Sequence, residues 1–374
     1  MMATGYKRVS KKRPCYICGK PDWCSTTATE TISFCARSIL NANRVSRHGW
    51  GVYYHEASGA DFDFGFKRNF NQFPKRKKTQ VSKTLAPTAI RDRVYRKLIE
   101  LSPASSSYEI VNGRGGLLER RIEDLSQYGS LLRTVNERQV LVERLVEALA
   151  KEGIQSFDGI PGFWRDTRGR LHLWSDQDSF DDLMVIPFVG SDGLVRACQI
   201  RFMRYIPNKS GRYVWLSSSK EKDGCGPGAP LHHADPCLRS AKPVLVTEGA
   251  LKAATAQRFL PERYVVGNSG VATSHCEIVE IARRKPLEIA FDRDSFTNPH
   301  VARSLAALLR LRYSDQVTHK YSDDVRILSW GSSFKGVDEA LLAGARPEHL
   351  TVAEWLKHLS PECIEQARLQ LPWL

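Results

Sequence analysis

The chain has 374 residues, of which 42% are hydrophobic and 26% charged, and no stretch approaches the roughly 18 consecutive apolar residues of a membrane span. Lys and Arg (55) outnumber Asp and Glu (41) for a net charge of +14, which favours phosphate neutralisation on nucleic acid. The length predicts two or three domains. The basic start, Met1 to Arg13, runs into cysteines and polar residues instead of an apolar segment, so a cytoplasmic protein is expected.

The first pattern is Cys15-x-x-Cys18, then Cys24 and Cys35. Four thiolates in so short a segment suit one tetrahedral, fully closed zinc site that folds the segment and leaves no position for catalytic water. Disulfides are disfavoured in the expected compartment. The alternating stretch His48 to Tyr54 reads as a further strand, whose aromatics either stack on bases or fill a small core. Cys225, Cys237, His232 and His233 match no common metal spacing, and Cys198, Cys276 and Cys363 read as core residues.

From Asp61 to Thr88 the composition is that of a basic, solvated connection. Ala89 to Leu101 and Leu117 to Ala150 then place apolar residues at helical spacing, including Val140, Leu141, Leu145, Val146 and Leu149. After Gly153 come short β-type runs, Leu171 to Trp174, Leu183 to Val189, Leu194 to Phe202 and Arg212 to Leu216. Ser191-Asp192-Gly193 predicts a hairpin, with Arg196, Arg201, Arg204, Lys209 and Arg212 forming one basic surface along its strands.

The richest region follows. Thr247-Glu248-Gly249, Asp292-Arg293-Asp294 and Lys335-Gly336-Val337-Asp338-Glu339 each come just after an apolar run that reads as a buried parallel strand: Val244 to Val246, Leu287 to Phe291 and Val325 to Trp330. In such βαβ sheets ligands gather beyond the carboxyl ends of the strands, where these acids would lie. A helix beginning at Ala250 adds an amino terminus that favours negative charge, and Gly267 to Gly270 reads as a flexible turn near it. Asp292 and Asp294, two apart, would point to one side of extended backbone and share a cation. Oxygen-only donors suit magnesium or manganese and phosphoryl transfer.

Glu248-Gly249, Gly267 to Gly270, Asp292 to Asp294 and Lys335 to Glu339, in this order and spacing, resemble a Toprim domain. From about Pro14 onward the chain resembles the replication proteins of plasmids, phages and integrated elements that join a zinc ribbon to a primase-like core. Cys15 to Cys24, Gly159 to Phe163, Tyr213 to Ser218 and Gly228 to His232 carry that wider resemblance. It implies an α+β multidomain protein: a zinc ribbon at 1–60, the linker at 61–88, a helical plus antiparallel β primase-like subdomain at 89–240, a Toprim domain with a parallel sheet at 241–345, and a helical tail at 346–374.

The resemblance further implies Glu248, Asp292 and Asp294 as catalytic carboxylates, with Asp338 a further ligand to magnesium or manganese. Arg196, Arg201, Arg204, Arg212, Lys252 and Lys335 are then the candidates for contact with nucleic acid or nucleotide. Expected partners are single-stranded DNA, primer–template duplex, nucleoside triphosphates and a separate replicative helicase. One position departs from the family: replicative primases place an acid three residues after the Gly of the Glu-Gly motif, and this chain has Lys252. Either the lysine meets a nucleotide phosphate or the site holds fewer ions. The implied activity is primer synthesis; a Toprim nuclease or a non-enzymatic zinc-dependent DNA-binding factor is the alternative, although no Gly-x-x-x-x-Gly-Lys-Ser/Thr loop of the ATPase that accompanies one nuclease class is present.

Overall fold

In a computed structural model, the chain is described at residues 6–15, 17–18, 20–27, 32–37, 44–45, 50–54, 84–112, 124–179, 182–203, 212–238 and 243–371. It divides into two compact units, Met1–Thr79 and Gln80–Leu374. Most of the expected linker and Arg204 lie outside the described residues.

The first unit is an antiparallel sheet of short strands: β1 (Tyr6–Arg8), β2 (Ser25–Thr27), β3 (Ile32–Cys35), β4 (Arg44–Val45) and β5 (Gly51–Tyr54), in the order β1-β2-β3-β5-β4 among the described residues. Its small core joins Cys15, Cys24, Cys35 and Tyr53. Tyr53 therefore belongs to that core, being 7% exposed.

In the second unit the helix Thr88–Leu101 (α1) precedes a short helix, Tyr108–Asn112 (α2). Strand β6 (Gly129–Leu131) leads into the helix Val135–Lys151 (α3), opened by a reciprocal capping box between Thr134 and Glu137. The helical reading of 117–150 is thus corrected, because Leu131 is fully buried in a strand of its own. On α3 the core takes Leu141, Leu145 and Leu149, one stripe at 3.6-residue spacing, and leaves Val140 and Val146 exposed.

Strands β7 (Phe163–Arg165) and β8 (Leu171–Leu173) pair with each other. The strands β9 (Leu183–Val189), β10 (Val195–Phe202) and β11 (Tyr213–Trp215) extend β6 into an antiparallel sheet ordered β11-β10-β9-β6. The predicted hairpin joins β9 to β10, with Gly193 at φ 80°. One face of this sheet, through Leu183, Val185, Cys198, Ile200 and Phe202, packs on α1 and α3. The other, through Met184, Ile186 and Phe188, packs with Met203, Ala250 and Leu251.

The last layer is a six-stranded sheet of β12 (His232–His233), β13 (Val244–Glu248), β14 (Tyr264–Asn268), β15 (Leu287–Ala290), β16 (Val325–Ser329) and β17 (Glu348–Leu350), ordered β12-β14-β13-β15-β16-β17. The four central strands are parallel, and β12 and β17 close the edges antiparallel. The helices between and after them are α4 (Ala250–Phe259), α5 (His275–Ile281), α6 (Pro299–His319), α7 (Val337–Leu342), α8 (Val352–Lys357) and α9 (Pro361–Arg368).

Two expected boundaries shift. His232 and His233 belong to this sheet and not to the preceding subdomain. Residues 346–374 are not a separate tail: β17 pairs with β16, and Trp355, Leu359, Cys363, Ala367 and Leu371 fill the same core as Val244 and Ile289. No helix among the described residues is long and apolar enough to cross a membrane.

His232 ties the two sheets together. Its Nδ1 accepts the Val189 N–H at 3.2 Å while its strand pairs with β14. Acceptance requires that nitrogen to be unprotonated, and burial, with the neighbouring His233, pushes the pKa down to about 3. The unfolded chain binds the proton near the ordinary value of about 6.5, so stability present above that pH is lost as pH falls from there toward 3, at up to about 1.4 kcal/mol per unit. Urea unfolding at pH 7 and pH 5 should show a pH dependence about 2 kcal/mol larger in the natural chain than in His232→Asn, whose Oδ1 can keep the acceptor without titrating. Parallel pH profiles for the two proteins would exclude this role.

Candidate metal centres and the acidic crevice

The chain enters the parallel sheet at β13, moves outward to β14, then returns to the other side of β13 as β15. That reversal opens a crevice between the carboxyl ends of β13 and β15, the place where α/β sheets collect ligands. Glu248 is the last residue of β13, and Asp292 comes two residues after the end of β15. Across the crevice the Asp292 N–H donates to Glu248 Oε1 at 2.9 Å.

Local backbone chemistry builds the corner behind Glu248. Gly249 has φ 81°, a conformation that L side chains rarely adopt, and turns the chain from strand into α4. Its N–H donates to Asn268 O at 2.6 Å. Gly267 permits this approach, since a Cβ there would lie 2.7 Å from Gly249 O. Gly267 and Asn268 are therefore part of β14 and not a flexible turn.

Asp292 and Asp294 converge for a reason other than strand alternation. The backbone leaves extended geometry at Asp292 and enters a 3₁₀ turn over Arg293–Phe296. Ser295 N–H and Asn298 N–H close that turn on Asp292 O (2.8 Å) and Asp294 O (2.6 Å). One carboxylate oxygen from each of Glu248, Asp292 and Asp294 lies within 4.8 Å of the others. Like charges about 4 Å apart repel by roughly 4 kcal/mol at an effective dielectric near 20, so three hard oxygen donors gathered this way fit a divalent cation such as magnesium or manganese.

Asp338 stands outside that triad, buried in the first turn of α7 at 1% exposure. Lys252, in the first turn of α4, forms an ion pair with Asp292 Oδ1, and Lys335 Nζ lies 3.6 Å from Asp292 Oδ2. Burial, and then the charge of Asp292, raises the Glu248 pKa above the usual carboxylate range. For Lys252 burial pulls downward, but Asp292 and Glu248 outweigh it and hold the ammonium charged, its pKa raised. Gly336 closes the floor: a Cβ there would collide with Asp338 Oδ1 and lie 3.1 Å from Lys252 Cε and 3.3 Å from Asp292 Oδ1.

The expected basic surface does not form as one patch. Arg201 is 1% exposed, with Nη1 3.5 Å from Met203 Sδ and its guanidinium over the Tyr213 ring. The cause is the two-residue period of β10: Cys198, Ile200 and Phe202 face the helices, so Arg201 shares the opposite face with Met203, and that face is also covered. Arg196 is half-buried and paired with Asp192 at 3.1 Å, and Arg212 Nη1 is buried. Only Lys252 and Lys335 among the six expected cations are brought to the acidic crevice among the described residues.

Sequence reasoning passed over two features here. The Asn268 side chain is fully buried with neither polar atom hydrogen-bonded among the described residues, in register with Glu248 on the neighbouring strand. A cavity of about 660 Å³ opens beside Asp294, lined among others by Arg293, Trp330, Ser332, Arg346 and His358. The Arg-x of Asp292-Arg293-Asp294 was a usable signal; Arg346 and His358 come from the segment read as a tail.

In the first unit Cys15, Cys18, Cys24 and Cys35 converge, with their sulfurs within 4.8 Å of one another. The Cys18–Cys24 and Cys24–Cys35 sulfur separations, 3.7 and 3.8 Å, match the edge of about 3.8 Å of a tetrahedron with Zn–S near 2.3 Å. These thiols fit zinc. All nine cysteines are free; Cys198 and Cys363 are buried as expected, whereas Cys276 is exposed, on the outer side of its helix turn. No metal-ligating cluster among the described residues includes Cys225, Cys237, His232 or His233.

No family model matches the sequence, and no curated protein does. Solved structures to which the chain is similar include the zinc-binding and RNA polymerase domains of Aquifex aeolicus primase (TM-score 0.44, 16% identity, 77% of this chain and 74% of that one). The RNA polymerase domain of Mycobacterium tuberculosis primase DnaG gives a TM-score of 0.47 at 13% identity, over 77% of this chain and 99% of that one. A DnaG primase catalytic domain bound to single-stranded DNA gives 0.41 at 14%, over 76% and 92%.

Elemental analysis should find about one zinc per chain, falling below about a tenth of that in Cys24→Ser, with faster proteolysis confined to residues before 80. Zinc retained at full stoichiometry in the variant would exclude this ligand set. Gly336→Ala should lower stability by about 1–3 kcal/mol in urea titrations, because the new methyl displaces buried Asp338; an unchanged midpoint would show that the floor is not tightly packed.

Proposed function

We propose that this chain is a DNA primase-like replication protein that makes primers on single-stranded DNA by metal-dependent nucleotidyl transfer, its acidic crevice being a Toprim-type site. The convergence of Glu248, Asp292 and Asp294 at the switch point of the parallel sheet carries this reading. The zinc-suited cysteine cluster and the +14 charge support a nucleic-acid partner.

In this reading Asp292 and Asp294 hold magnesium or manganese, and Glu248 both faces the ion and fixes Asp292 through its N–H. The bound ion would activate the primer 3′ hydroxyl and offset charge on the transferring phosphate. Lys335, 71% exposed at the crevice mouth, would meet an incoming phosphate, and the cavity beside Asp294, with Arg346 on its wall, would receive a nucleoside triphosphate. Arg196, Arg204 and Arg212 are assigned to the duplex backbone. Exposed Trp23 in the cysteine-bearing unit offers a stacking face for template bases. A partner helicase and residence on a mobile element belong to the same proposal.

Incorporation of labelled nucleotides on mixed single-stranded templates with magnesium should fall roughly a hundredfold or more in Asp292→Ala and Asp294→Ala, with the circular dichroism unchanged. Undiminished synthesis in Asp292→Ala would sink the assignment. Magnesium-dependent cleavage without nucleotides would point to a nuclease, and salt-sensitive DNA affinity without either reaction would point to a binding factor.

A further inference from the structure

We propose that Lys252 is a resident cation of the acidic crevice, filling the place of a second metal ion, so that the cluster takes up a single divalent ion. The inference rests on the reading of the crevice as a metal site and concerns how many ions it admits.

The argument begins with space. Lys252 projects from the first turn of α4, and its ammonium sits on Asp292 Oδ1. The backbone of Gly336 lies over the end of its alkyl chain, so close that a Cβ there would be 3.1 Å from Cε, 3.3 Å from Asp292 Oδ1 and in collision with Asp338 Oδ1. The gap between the carboxylates of Asp292 and Asp338 is thus filled by the lysine and closed by backbone. The side chain is only 23% exposed, so the ammonium has little room to withdraw into water. Lys335 differs: it is 71% exposed and can swing away from Asp292 Oδ2, leaving that oxygen to an ion.

Charge leads the same way: the carboxylates of the crevice already face one buried ammonium, that of Lys252, on Asp292. A second ion near Asp338 would have to share Asp292 with an ammonium already bonded to it, and the two positive charges would repel each other at close range. The lysine therefore does for Asp292 and Asp338 what another cation would otherwise do, and it orients Asp292 as a positioning residue.

The test is a count of bound Mn²⁺ on the zinc-loaded full chain, read from the loss of the free hexaaqua signal in electron paramagnetic resonance. The natural protein should bind one Mn²⁺ and Asp292→Asn far less. Lys252→Glu should bind two, with spin–spin broadening of the bound signal, and Lys252→Met should bind one at least about tenfold more tightly because a neighbouring positive charge is gone. Circular dichroism identifies any variant that fails to fold, and Lys252→Met, which keeps the side chain as far as Cε and removes only the ammonium, then carries the test alone. Two ions in the natural protein, or one ion at natural affinity in both variants, overturn the inference and leave the metal-site reading intact. No Mn²⁺ on the natural protein or on Lys252→Met overturns the reading itself, and the inference with it.

Discussion

The hydrogen bond from Asp292 N–H to Glu248 Oε1 joins the ends of two parallel strands on either side of the point where the sheet reverses direction. Without a pairing of that kind three carboxylates would not gather within 4.8 Å, because each burial and each like-charge neighbour raises the free energy of the ionised form. The raised pKa of Glu248 records that penalty. Lys252 relieves part of it from inside, and its own charge is kept by the acids that it neutralises. Corner, crevice and lysine are therefore one electrostatic unit, held at a fixed geometry by Gly249, whose positive φ turns the corner, and by Gly267 and Gly336, whose missing Cβ atoms let backbone approach backbone and carboxylate.

Much of this was visible in the residues. Apolar runs ending in Glu248, Asp292 and the Lys335–Glu339 segment located the strand ends, since buried parallel strands are short and β-branched and their carboxyl ends are a defined place. The Cys15-x-x-Cys18 pattern located the sulfur cluster, because a tight turn can aim two thiolates at one point.

The rest depended on long-range packing that local pattern does not carry. A two-residue period says which residues share a face of β10 but not that both faces are covered, and so Arg201 reads as a surface charge when it is buried. Likewise the segment after 345 has ordinary helical spacing; its strand Glu348–Leu350 is recognised only by the edge of β16 that it pairs with. Asp292 and Asp294 converge through a 3₁₀ turn closed by Ser295 and Asn298, where alternation along a strand had suggested the same outcome by a different route.

The start of α4 belongs to two cores at once. Ala250 and Leu251 pack against the antiparallel sheet, while Ala253 and Ala256, one turn on, pack beneath the parallel one. The corner bearing Glu248 is thereby clamped on opposite sides by layers that are far apart in sequence, and it has no way to open locally. Its amides should exchange with solvent only when the whole second unit unfolds, so the crevice and the fold share one stability and the site cannot be loosened while the scaffold stays intact.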